Sequence, residues 1–322
     1  MRAQTLVSAA ERAMTTPTPH QDLQLWASIN AAVLAYAAGD AFGVAYEFLP
    51  EPVPVDVTAI GARAGWPYGG VSDDTLLTLL TIATATVDDP AGSAEAFLAD
   101  LRRSVSRLRG LGPTTRSALG LPVAPHEAAL VGGTNGAMMR TALLGLAFDP
   151  DDDDRRRSLV RAMAEATHPD PTSSACAVVA SRLFAVATSG LAAADIAPVL
   201  RAEADAVRVP GSEIDALRRL DEWSPDASGV SLRPVDTLLA VATVATEAQT
   251  CLEAYRLACE MGGDTDTVSA LAAALVAARS PQTCGLVAIA WIDDVNWAEI
   301  PQASQAMAAL FTLRRASTAR CA

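Results

Sequence analysis

Two stretches far apart in the chain carry the same chemistry. Ser72-Asp73-Asp74-Thr75 follows Gly69-Gly70, and Asp264-Thr265-Asp266-Thr267 follows Gly262-Gly263. Each gathers two carboxylates and at least one hydroxyl where a glycine turn gives way to an apolar run, residues 76–85 in the first case and 268–278 in the second. Carboxylate and hydroxyl oxygens are hard donors, suited to Mg²⁺, Mn²⁺ or Ca²⁺ rather than zinc. Either stretch alone reads equally as helix capping, because Asp and Thr accept from the free N–H groups of a first turn. The pair says more. Carboxylates converging from two helix starts repel unless protons or cations neutralise them. Two divalent ions sharing such a cluster is an arrangement for hydrolysis of oxygen-rich substrates.

Other reactive groups are less specific. Glu47 sits among Tyr46, Phe48 and Leu49; apolar company raises a carboxyl pKa and suits acid or base work, while a solvated loop is the plain alternative. Asp40, bracketed by Gly39 and Gly43, reads as a turn closing a helix. Gly132-Gly133-Thr134-Asn135-Gly136 opens a helix and offers N–H groups to a phosphate, or merely caps it. Arg140, one turn on, is expected to pair with a buried Asp. His168, at a helix junction beside Pro169, is the most suggestive of three histidines, although a structural histidine is the commoner outcome. Asp149 to Asp154 followed by Arg155-Arg156-Arg157 reads as a solvated loop and helix start with no catalytic role.

Helices must position these groups. Leu25, Ile29, Ala32, Val33 and Tyr36 share one face of a helix expected over residues 22–38. Further helices are expected over 75–87, 93–109, 137–146, 172–188, 236–247, 252–260 and 302–315, with two more inside 191–222 and one continuing from the second acidic turn. Residues 50–70 and 110–125, rich in Gly and Pro, read as long connections. Strand alternation is scarce and no fixed repeat appears, so the fold class is all-α. Aromatics at 5% and an alanine-dominated apolar set agree with closely packed helices. Residues 1–21 end in Thr-Pro-Thr-Pro-His and read as a flexible arm, with 22–322 as a single domain.

Composition limits the function. With 51% hydrophobic and 19% charged residues the chain is globular. A net charge of −13, with every basic side chain an Arg, makes nucleic acid an unlikely partner. Five cysteines without zinc spacing fit small buried hydrophobes in a reducing compartment. Nothing resembles a secretory leader or a membrane span, so a cytoplasmic monomer is expected.

The ordered motifs GDAFGVAYE (39–47), GGVSDDT (69–75), NGAMMR (135–140), THP (167–169) and GGDTDTVSAL (262–271) resemble the ADP-ribosylglycohydrolase family, which includes the hydrolase that reactivates dinitrogenase reductase and the ADP-ribosylarginine and ADP-ribosylserine hydrolases. The resemblance covers roughly residues 22–300. It implies a compact, orthogonal multi-helix fold with a dinuclear metal cleft holding two Mg²⁺ or Mn²⁺ ions. It implies Ser72, Asp73, Asp74, Asp264, Asp266 and Thr267 as ligands, with Ser72 standing where many relatives have Thr. Glu47 and Asp74 become the candidate catalytic groups, and Thr134, Asn135, Gly136 and His168 the substrate contacts. The expected activity is hydrolysis of the bond joining the ribose anomeric carbon to a protein side chain. The alternatives are an ADP-ribose-binding or structural protein on the same scaffold and a hydrolase of a non-protein ADP-ribosyl compound. Thr134 replaces a frequent Gly and Ala142 sits near a usual Pro, departures that bear on pocket shape.

Overall fold

The computed structural model describes residues 20–50 and 53–321. The molecule is built around the run that follows the second acidic turn. It forms α12 (Thr265–Arg279), buried at every position from Thr265 to Ala278. A helix apolar on all sides belongs at the centre of a fold, not on its surface. Its most extensive contact is with α1 (His20–Gly43). Gly39 and Gly43 make that contact possible: a Cβ on Gly39 would lie 2.7 Å from the Ser269 carbonyl carbon, and one on Gly43 would lie 2.4 Å from the Asp266 Cα. The two backbones therefore touch where the acidic turn begins.

Around this pair stand α2 (Asp73–Thr84), α3 (Pro90–Ser104), α5 (Gly136–Thr141), α6 (Asp153–Glu165), α7 (Pro171–Ala187), α10 (Pro234–Glu247), α11 (Cys251–Met261) and α13 (Ala303–Cys321). Helices α4 (Pro113–Ala118), α8 (Ile196–Val207) and α9 (Gly211–Arg218) complete the shell. Buried apolar side chains from α1 through α13 form one contiguous cluster. Aromatic pairs lock α1 into it: Phe42 stacks on Trp291 at 5.0 Å, and Trp26 meets Phe311 edge-on at 5.2 Å. No strand occurs among the described residues, only isolated bridges such as Val230 with Gly263. The fold is all-α, as the periodicity indicated.

Several boundaries differ from expectation. The helix anticipated over 137–146 is α only to Thr141 and continues as a 3₁₀ segment, Ala142–Ala147. There Gly145 presses against α7 so closely that a Cβ would fall 1.9 Å from the Ser181 carbonyl oxygen. The connection read over 110–125 contains α4, which Pro113 opens from its favoured first position. The first helix starts at His20, inside the span read as an arm; residues 1–19 of that span lie outside the described residues.

Two arginines are not where their sequence context put them. Arg140 is buried but meets no Asp: it donates to the Met163 carbonyl (2.7 Å) and the Thr167 hydroxyl (2.8 Å), above the Phe97 ring. Burial draws its pKa down to about 9. Arg156, read as part of a solvated run, is fully buried and pairs at 2.7 Å with both Asp153 and Glu203. A long aliphatic stem and a fork of five donors let an arginine go inside when carboxylates wait there.

Candidate active site and metal centre

Ser72 caps α2, its hydroxyl accepting the Asp74 N–H at 3.0 Å. Asp73 and Asp74 occupy the first turn, both buried. What fixes this turn is Asp40. It is a helical residue of α1, not a closing turn, and is completely buried. Its carboxylate accepts the Ser72 N–H (2.9 and 3.1 Å to the two oxygens), the Thr75 N–H (3.0 Å) and the Thr75 hydroxyl (2.5 Å). Burial raises the Asp40 pKa to about 6 against the opposing effect of these hydrogen bonds. One aspartate thus ties α1 to the start of α2.

The second turn is shaped by Gly262 and Gly263, both at positive φ. Val230 runs alongside, donating to the Gly262 carbonyl and accepting from the Asp264 N–H, each at 3.0 Å. The Thr265 hydroxyl donates to the Gly43 carbonyl at 2.8 Å, which anchors the turn to α1. Asp264, Asp266 and Thr267 are buried as a result. The two turns then meet: the Thr267 hydroxyl donates to Asp74 Oδ2 at 2.7 Å across 193 positions of sequence.

Glu47 joins from the end of α1. The Phe48 N–H donates to the Gly263 carbonyl at 2.8 Å, with Phe48 in the left-handed region at φ 47°. Glu47, Asp264 and Asp266 each offer a carboxylate oxygen within 4.8 Å of the others. The apolar surroundings expected for Glu47 are absent: Phe48 and Leu49 are exposed, and Glu47 is ion-paired with Arg63. Its company is the acidic cluster itself.

Burial, and then repulsion from Asp40, Asp73 and Asp264, pushes the Asp74 pKa well above the usual carboxylate range. Burial, followed by Glu47, Asp74 and Asp264, does the same to Asp266, and burial with Asp40 to Asp73. Asp264 is raised to about 6, with burial first and Glu47 next, partly offset by hydrogen bonds from its neighbours. Carboxylates held together at such electrostatic cost, with hydroxyls interleaved and Arg63 paired to the more exposed Glu47, form a donor set that suits hard divalent cations.

The cluster lines a cavity of about 60 Å³ whose wall also includes Thr134, Asn135, Gly136, Trp66 and Gly110. Asn135 serves the carboxylates directly, its amide donating to Asp264 and to the Thr237 hydroxyl (2.8 Å). His168 is not part of this wall. It is fully buried behind it, with Nε2 3.0 Å from the Thr134 hydroxyl and Nδ1 2.8 Å from that of Thr167. A Cβ on Gly136 would come 3.0 Å from the same Nε2, so the histidine backs both residues. Burial and the nearby Arg140 charge draw its pKa down to about 3, which leaves it neutral.

Sequence reasoning passed over Asp40, Trp66 and Arg109. Asp40 was detectable as the one charge in a helical run otherwise free of them, residues 23–46. Trp66 lies between the guanidinium groups of Arg63 (5.2 Å) and Arg109 (5.5 Å), an arrangement built by loop conformation and invisible to spacing. A larger groove, about 780 Å³, opens on the other side of α2 beside α13, but it is lined by Leu76, Leu79, Leu80 and Ala306 and contains none of the acidic turns. Volume does not make it the reactive site; the donor chemistry lies in the smaller cavity.

With this geometry in place the comparisons are direct. The chain matches the ADP-ribosylglycohydrolase family over residues 21–318 and belongs to it. By that membership it is a glycohydrolase of ADP-ribosyl compounds. Among solved structures it is similar to one titled "ADP-ribosylglycohydrolase-related protein complex", with 26% identity, a TM-score of 0.67, and coverage of 91% of this chain and 98% of that one. No curated protein matches the sequence. No helix among the described residues is long and apolar enough to cross a membrane.

Proposed function

We propose that this chain, with residues 22–322 acting as one domain, releases ADP-ribose from a modified protein side chain by hydrolysing the glycosidic bond at the ribose anomeric carbon. The observation that carries the reading is the Thr267–Asp74 hydrogen bond, which brings both acidic turns onto one buried cavity. Ser72, Asp73, Asp74, Asp264, Asp266 and Thr267 would hold two divalent cations, Mg²⁺ or Mn²⁺. Held there, such ions supply Lewis acidity and a template for sugar hydroxyls.

The protein's own groups account for the rest. A glycosidic transition state has oxocarbenium character, and carboxylates fixed beside the cavity stabilise that charge without reorganising. Glu47 is the acidic side chain that is only half buried and faces both the cavity and Arg63, so it is placed to exchange a proton with water or the leaving group. Asp74, held by the Thr267 hydroxyl, is the second candidate for that role. Thr134, Asn135 and Gly136 offer polar contacts to the diphosphate and ribose from the same cavity wall. His168 acts through Thr134, as a positioning residue.

Asp74→Ala and Asp264→Ala should each lose divalent-cation uptake and lower turnover of ADP-ribosylated protein by more than about a hundredfold, since losing even an outer-shell partner costs 10–100-fold. Circular dichroism should remain helical. Full turnover by either variant in excess EDTA contradicts the proposal, and tight binding of ADP-ribose by the unmodified chain without release points to the binding-protein alternative.

A further inference from the structure

Cys251 and Cys284 stand at the two ends of the hairpin that carries the second acidic turn: Cys251 opens α11, and Cys284 lies in the turn after α12. The Cys251 N–H donates to the Cys284 carbonyl at 2.8 Å, while the Cys251 thiol donates to the Ala273 carbonyl at 3.9 Å and the Cys284 thiol to the Pro281 carbonyl at 3.5 Å. Main chains bonded in this way approach as paired strands do, within the Cα separation that a disulfide spans. Both cysteines are free thiols. We propose that Cys251 and Cys284 are a redox-active dithiol that a hydroperoxide converts to a disulfide, stapling the ends of the α11–α12 hairpin.

The two sulfurs have unequal roles. Its neighbour Cys251 draws the Cys284 thiol down to about 7, which makes Cys284 the more readily ionised of the two. The nearby Cys284, together with burial, pushes Cys251 up, which makes it the resolving thiol. Cys284 itself is buried, but its neighbours Thr283 and Gly285 are exposed, so a small oxidant has only a surface turn to displace. Cys176 and Cys259 lack this arrangement: both are buried in helices with their thiols pushed up, Cys259 to about 12.

The chemistry balances with one peroxide. The Cys284 thiolate attacks a peroxide oxygen, the O–O bond breaks, and the departing oxygen takes a proton and leaves as water. The sulfenic acid so formed is attacked by the Cys251 sulfur; its hydroxyl leaves with the Cys251 proton as a second water, and the S–S bond closes. Two thiols are oxidised and one peroxide is reduced to two waters.

The test treats the full Mg²⁺-loaded chain with hydrogen peroxide. Two of its five thiols should disappear, and dithiothreitol should restore them. Cleavage after Arg256 and Arg279 separates the two cysteines, so peptide mapping should recover their peptides joined. The link should vanish in Cys251→Ser and Cys284→Ser and persist in Cys321→Ser, which removes the exposed thiol. Five intact thiols after treatment, or a link between any other pair, overturns the proposal. If a serine variant fails to fold, mapping of the unmodified chain decides alone.

Discussion

Asn135 shows how a residue of the cavity wall can also orient a carboxylate of the cluster. Its amide donates to Asp264 and to Thr237, so it sets which way the Asp264 oxygens point. Asn135→Ala should weaken divalent-cation affinity by about 10–100-fold, the usual loss for an outer-shell partner, while leaving thermal unfolding nearly unchanged. Titration calorimetry with Mn²⁺ measures this; wild-type affinity in the variant would mean that Asp264 is oriented without help. At this scale the sequence was informative where a residue type is chemically costly. Paired Asp after Gly-Gly marked both turns. Asp40 left a fainter mark, a lone charge in a run otherwise without one, and that pattern does not reveal the two N–H groups and the hydroxyl that satisfy it. The sequence also made His168 look like a contact, when the histidine works one layer further back.

Among the elements, α1 and α12 carry the site between them. The spacing of apolar residues revealed both helices, but not that they would run backbone against backbone, because a glycine in a helix signals only weak propensity until its neighbour is known. Gly43→Ala inserts a methyl 2.4 Å from the Asp266 Cα, where no rotamer can move aside. Overpacking of this kind costs roughly 1–3 kcal/mol or more. Because the strain falls on the first turn of α12, cation binding should weaken along with stability. Parallel denaturant melts and Mn²⁺ titrations test this, and a variant with reduced stability but unchanged metal affinity would separate the helix contact from the site. The split of 137–146 into α and 3₁₀ segments was beyond sequence for the same reason: Gly145 has its reason in Ser181, on another helix.

For the molecule as a whole, buried His168 makes acid destabilising, while the buried aspartates, with their pKa values raised, act in the opposite direction. His168 has a folded-state pKa of about 3 against an ordinary value of 6.5, faced by the Arg140 charge and by the hydroxyls of Thr134 and Thr167. A depressed folded-state value means the unfolded chain binds the proton more readily. The contribution to stability is complete above about pH 6.5 and is lost progressively as pH falls towards 3, with a total on the order of a few kcal/mol. His168→Gln removes that titration, so its unfolding midpoint should fall less steeply than wild type between pH 7 and 4, even if it starts lower. Equal slopes would place the acid response in carboxylates whose pKa is lowered, such as Glu203 beside Arg156 and Arg157. One consequence of the cleft's size remains. About 60 Å³ admits a few water-sized groups, whereas drug-sized ligands occupy roughly 300–1,000 Å³. A recess of that size takes the reacting end of a larger molecule and leaves the remainder on the surrounding surface, beside the Glu47–Arg63 ion pair.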